Sequence, residues 1–183
     1  MQKIMFNSKL GLEQAVLEGR KTMTRRIATT EEIECPNIGW GIEGKERGKR
    51  VLCSCNEILA MSRYAKGEIV AVAQRYCNVL HCADVPKGEE KGWGNKMFVK
   101  AELMPHHIEI TGIKVERLQD ISEDDCLKEG IRHCNLNKKY AFDDKRAYKT
   151  PREAFAALID KVSGKGTWDS NPWVFVYEFK LIK

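Results

Sequence analysis

The sequence predicts an α+β fold, a small barrel of short strands flanked by a few helices. Three observations lead there. Short runs of β-branched and aromatic residues recur between turn formers. Helical spacing of apolar residues appears in only three places. One apolar run, HHIEITGIKVERL, alternates through Ile108 and Ile110 and then resumes one position out of phase at Ile113 and Val115. An extra residue at Thr111-Gly112 reconciles the two halves, as a β-bulge does, and such bulges bend the strands of small barrels.

Residues 9–18, KLGLEQAVLE, place Leu12, Ala15 and Val16 on one helical face, and Gly19 supplies the left-handed turn after it. KTMTRRI then reads as a strand. Residues 28–66 hold turn formers and charge and form an excursion, with a hairpin at GKERGKR between short strands. Ile69 to Tyr76 is a strongly apolar strand. Residues 84–96 are a polar, glycine-rich loop, and MFVKAEL is a further short strand. Ser122 caps a short helix that Gly130 closes, and 133–149 is a charged loop. Thr150-Pro151-Arg152-Glu153 is a capping box with proline at the first helical position. Phe155, Leu158, Ile159 and Val162 continue it as a helix over 151–163. NPWVFVYEFKLI closes the chain as a strand apolar enough to be buried on both sides. No repeat is visible, and 183 residues suit a single domain, 1–183, with insertions at about 28–66 and 84–96.

Composition narrows the function. With 43% hydrophobic and 31% charged residues the chain can bury a core and stay in solution. No run of about 18 apolar residues spans a membrane, and MQKIMFNSKL lacks the apolar core of a secretory leader. A cytoplasmic location without membrane association is the expectation. The net charge of +5 permits a nucleic-acid partner without demanding one. Seven cysteines point to reduced thiols. Cys53-Ser-Cys55 and the Cys77, His81, Cys82 group lack a second pair at zinc spacing, so neither a metal nor a cofactor is expected.

The chemistry concentrates in EGRKTMTRR, residues 18–26. On residue chemistry alone this is either a solvated basic edge that discourages strand pairing or an anion-binding strand. Arg20, Arg25 and Arg26 can each hold an oxyanion or a phosphate. Gln74, polar among apolar neighbours, reads a base edge or faces solvent. Trp168, Trp173, Tyr64 and Tyr76 read as core, and His106-His107 as structural or substrate-lining.

Within that stretch, Gly19, Lys21, Thr24 and the arginines after it resemble the GxKxxTxR signature of ASCH domains, whose fold is a PUA-like β-barrel. VERLQDISEDDCLKEGI resembles the strand-to-helix segment of phage- and prophage-associated ASCH proteins. GTWDSNPWVFVYEF resembles their C-terminal strand. The three blocks stand in family order and span nearly the whole chain. The resemblance implies an RNA-related role. Some small ASCH proteins hydrolyse N4-acylated cytidines with a lysine, a threonine and a glutamate, which fall here on Lys21, Thr24 and Glu129. Others are proposed to bind or cleave RNA.

Two readings follow. In the first, an amidohydrolase acts on a modified nucleoside or RNA, with Thr24 as nucleophile, Lys21 as base and Glu129 as proton donor or orienter. In the second, the same basic strand serves a non-catalytic RNA-binding module or a ribonuclease-like phage accessory protein. Lys21 and Thr24 lie three apart and face opposite sides of a flat strand, so the first reading requires a bend at Thr22-Met23. Protein partners leave no sequence signature.

Overall fold

The computed structural model describes residues 1–28, 62–79, 91–134 and 139–182, together with the backbone of three strands within 31–53. The main sheet contains β1 (Gln2–Ile4), β2 (Met23–Ile27), β6 (Ile69–Val72), β7 (His107–Arg117) and β10 (Trp173–Ile182), in the order β1-β6-β7-β10-β2. The β1–β6 pair is parallel and the other three are antiparallel. The long β7–β10 ribbon is its spine. Val174 to Tyr177 are all buried, so both faces of β10 are covered, as its unbroken apolar run predicts.

The sheet is open, which corrects the expected barrel and with it the PUA-like closure. β1 pairs with β6 and β2 with β10, and among the described residues no ladder joins β1 to β2. Closing a barrel requires a continuous register round the sheet. Here β1 lasts three residues before the chain leaves for a 3₁₀ turn at Ser8–Leu10. A side chain spans the gap instead, the Arg26 guanidinium donating to the Met5 carbonyl at 2.7 Å. The predicted bulge is present. Gly112 stands opposite Glu178 and Ile110 opposite Phe179, leaving Thr111 as the extra residue.

A second sheet holds β3 (Glu31–Ile33), β4 (Gly41–Glu46) and β5 (Lys49–Cys53), with Lys45 opposite Arg50. The hairpin expected at GKERGKR is therefore formed. A third pairs β8 (Arg132–Cys134) with β9 (Lys139–Ala141), inside what reads from sequence as a charged loop. The expected strand at 97–103 is two 3₁₀ turns, Lys96–Phe98 and Ala101–Leu103. Asn95 caps the first through the Met97 amide, and Lys3 takes the carbonyls of Met97 and Val99, groups a strand would have needed. The apolar strand from Ile69 ends at Val72, and a 3₁₀ turn follows at Tyr76–Asn78, its Tyr76 amide bonded to the Gly92 carbonyl. Of the loop expected at 84–96, residues up to 90 lie outside the described ones, as do Cys55, His81 and Cys82.

Among the described residues four helices pack on this frame: α1 (Leu12–Leu17), α2 (Glu123–Lys128), α3 (Pro151–Ser163) and α4 (Thr167–Ser170). The expected helix over 9–18 is broken at Gly11, whose φ of 69° ends the 3₁₀ turn and starts α1. Ser122 accepts from the Asp125 amide at 3.1 Å and Thr150 from the Glu153 amide at 3.1 Å, so both predicted caps are made. In α3, Ala154, Phe155, Leu158 and Ile159 are buried, whereas Val162 is 42% exposed. The main core joins these to Ile4, Val72, Ile108, Ile110, Leu118 and β10. A smaller cluster gathers Ala71, Tyr76, Val79, Val99 and Met104. Among the described residues no helix is long and apolar enough to cross a membrane.

Candidate functional site

Two helix ends assemble the site. α1 stops in a left-handed turn at Gly19 (φ 73°), with the Gly19 amide on Val16 and the Arg20 amide on Ala15. This double closure reverses the chain and drops Lys21 beneath it, 2% exposed. α2 ends the same way at Gly130 (φ 102°), with the amides of Gly130 and Ile131 on Leu127 and Cys126. That leaves Glu129 as the residue capping the end of the helix, 4% exposed. The Thr22 amide bonds to the Lys128 carbonyl at 2.9 Å and ties the two ends together. A Cβ on Gly130 would meet that of Lys21 at an ordinary 3.6 Å, so it is the left-handed turn that calls for glycine here.

The Lys21 ammonium donates to the Glu129 carboxylate at 2.6 Å, the Glu129 carbonyl at 2.8 Å and the Met23 carbonyl at 2.7 Å. An ammonium has three protons, and all three are used. The other Glu129 oxygen accepts from Arg25 at 3.1 Å. Arg25 also meets Glu116 at 2.6 Å and Asp125 at 3.3 Å, and its guanidinium has no exposed surface. Lys114 and Lys128 close the network on Glu116 and Asp125 at 2.8 and 3.1 Å. The network ties β2, β7, the end of α2 and the turn before β2 together by charge.

Protonation follows this geometry. Burial holds Lys21 below the ordinary lysine value, with Glu129 acting against that shift. For Arg25, burial is outweighed by Glu129 and Glu116, and it is held above its ordinary value. For Asp125, burial is outweighed by Lys128, Lys114 and Arg25, and its carboxyl lies below the usual range. Burial pushes the Cys126 thiol up to about 12.

Next to this network lies a cleft of about 450 Å³, in the gap left by the open sheet between β1 and β2. Its floor is aromatic: Tyr64, Phe175 and Tyr177. Tyr64 and Tyr177 meet edge to face at 5.2 Å, and Phe175 stacks beside Tyr177 at 6.3 Å. The Tyr177 hydroxyl accepts from Ser62 and the Arg63 amide, and Tyr64 donates to the Lys3 carbonyl, so the rings are fixed. Its walls are cationic: Lys3, Arg26 and Arg63, with Met5 and Ile27 at the rim. No carboxylate lines it among the described residues. Burial lowers the Arg26 value, and Arg63 lowers it further by like-charge repulsion. Volume, apolar floor and a few convergent polar groups are the ordinary attributes of a ligand site.

The residues predicted from sequence divide between these places. Lys21 and Glu129 are brought together. Thr24 is buried opposite Tyr177, on the sheet face away from Arg25, and no hydrogen bond joins it to either among the described residues. Arg26 enters the cleft. Arg25 is enclosed by carboxylates, and Arg20 is at the surface, paired with Glu18 at 2.7 Å. Gln74 lies elsewhere, buried, its amide oxygen 2.7 Å from His106 Nδ1. Lys3, Arg63, Phe175 and Tyr177 were not expected. An aromatic pair closed by a residue from a distant loop has no local pattern. Arg20 lines a larger concavity of about 700 Å³, but there Arg132 and Lys161 already face Asp144 and Asp143. The smaller cleft, cationic and without a lining carboxylate among the described residues, is the better site. Among the described residues no cluster of three or more His, Cys, Asp or Glu is arranged to hold a metal.

No family model, no curated protein and no solved structure matches this chain.

Proposed function

We propose that this chain is an ASCH-type protein that binds RNA, or a nucleoside derived from it, in the cleft between β1 and β2. One observation carries the reading. Arg26, Arg63 and Lys3 line a cleft with an aromatic floor and no lining carboxylate among the described residues. Like charges gathered without a counter-charge favour an anion between them, and aromatic rings suit the faces of bases. The blocks of sequence that resemble ASCH domains point to the same ligand class, although the open sheet departs from the barrel that resemblance implies.

A second reading, hydrolysis of N4-acylated cytidine, is favoured by the 2.6 Å contact of Lys21 with Glu129 and by the lowered Lys21 value. Against it, the Lys21 ammonium has no proton to spare and stands in a closed network. Catalysis through Lys21 requires ligand binding to release one of its three acceptors.

Titration with cytidine 5′-monophosphate and a short single-stranded RNA, wild type beside Arg26→Gln, tests the binding reading. Binding that Arg26→Gln weakens about tenfold or more supports it, since a charged hydrogen bond is worth about 1.5–3 kcal/mol. Unchanged binding in the variant sinks it. Mass-spectrometric turnover of a panel of N4-acylated cytidines, with Lys21→Ala and Thr24→Val, tests catalysis. No turnover by the wild type removes the hydrolase.

A further inference from the structure

We infer that the cleft takes one nucleotide of a single-stranded RNA, and that Phe98 stacks the base beside it. This rests on the binding reading above and extends it beyond the pocket. Lys3, which lines the cleft, also donates to the Met97 and Val99 carbonyls at 2.7 and 2.6 Å. The turn over 96–98 is thus continuous with the cleft wall.

That turn holds two large apolar side chains in solvent, Met97 at 61% and Phe98 at 54% exposure. Nothing about folding asks for this. The turn is well anchored from behind. Asn95 caps it at 3.0 Å, and Lys96 reaches Glu13 at 2.8 Å, Ser8 at 2.9 Å and the Phe6 carbonyl. The Lys100 amide bonds to the Tyr76 hydroxyl at 2.9 Å. A fixed base under an exposed ring is a preorganised platform. The ring also has a cationic surround, with the Lys91 ammonium 5.9 Å from its centroid and the exposed Lys100 two residues on. Among the described residues Glu102 is the carboxylate near the turn in sequence, and it faces the N-terminal ammonium at 3.5 Å. Exposed aromatic, flanking lysines and continuity with a cationic cleft are the components with which proteins hold single strands. Positive charge selects the polyanion over an apolar protein segment as the occupant.

The test is fluorescence anisotropy with a labelled RNA hexamer, beside titration with cytidine 5′-monophosphate, for wild type, Phe98→Leu, Phe98→Trp and Arg26→Gln. The expected result is that Phe98→Leu weakens the hexamer about tenfold, that Phe98→Trp retains it, and that neither alters the monophosphate. A hexamer bound equally well by Phe98→Leu overturns the inference, and is what a protein-docking role for Phe98 predicts. A hexamer bound no more tightly than the monophosphate overturns it too. If Arg26→Gln weakens both ligands while Phe98→Leu weakens neither, this inference fails and the cleft survives. If Arg26→Gln changes nothing, the cleft reading itself fails.

Discussion

The Lys21 ammonium stands 2.6 Å from the Glu129 carboxylate across 108 residues of sequence, with both side chains almost wholly shielded from water. Breaking a buried pair by removing one partner leaves an uncompensated charge and costs about 3–5 kcal/mol. Lys21→Met and Glu129→Gln should each lower stability by about that much in urea unfolding. Because the two groups share one interaction, the double variant should lose clearly less than the sum. Strict additivity would show that they do not act as a pair.

Arg25 is expected to tolerate no cationic replacement. Its fork reaches Glu116, Asp125 and Glu129 together, which a single ammonium cannot do. Arg25→Lys should cost about 2–4 kcal/mol in the same unfolding assay, more than a lysine-for-arginine change at the surface. A loss below about 0.5 kcal/mol would contradict the enclosed geometry.

Acid sensitivity follows from Asp125. Its carboxyl lies below the ordinary value of 3.8 in the folded chain, so the unfolded chain binds the proton more readily. The stabilisation is therefore fully present above about pH 4 and disappears as pH falls through the folded value. Asp125→Asn should flatten the acid limb of a stability–pH profile recorded from pH 6 to pH 2. An unchanged acid limb would assign the sensitivity to other carboxylates.

Cys126 is wholly buried, with its thiol pushed up to about 12. Alkylation by iodoacetamide at pH 8 should spare it in the folded protein while labelling the half-exposed Cys77 and Cys134. Peptide mapping by mass spectrometry reads the outcome. Labelling of Cys126 at the rate of Cys77 would mean that α2 opens readily from the core.

Much of the frame was legible from local pattern. The caps at Ser122 and Thr150, the turns at Gly19 and Gly130, and the bulge beside Gly112 are each set by neighbouring residues. Closure of the sheet was not, because it depends on whether β1 and β2, remote in sequence, find a common register. Within the site, EGRKTMTRR reads as one basic strand, yet strand alternation sends Arg25 into carboxylates and Arg26 into the cleft. The solvated-edge reading is wrong for Lys21 and Arg25 for a physical reason. Glu116, Asp125 and Glu129 arrive from β7 and α2 to neutralise them, and no window around residue 21 contains those groups. Tyr64 is core, as expected, but its ring also floors the cleft, a double role that burial alone does not reveal.

The most direct test of the central claim is to locate the ligand. Photocross-linking of a short single-stranded RNA carrying 4-thiouridine, followed by peptide mapping, reports which side chains touch a base. Cross-links at Tyr64, Arg63 or Phe175 are predicted, with their loss in Arg26→Gln. Cross-links confined to the larger concavity, at Arg20, Arg132 or Lys145, would contradict the account and move the site there.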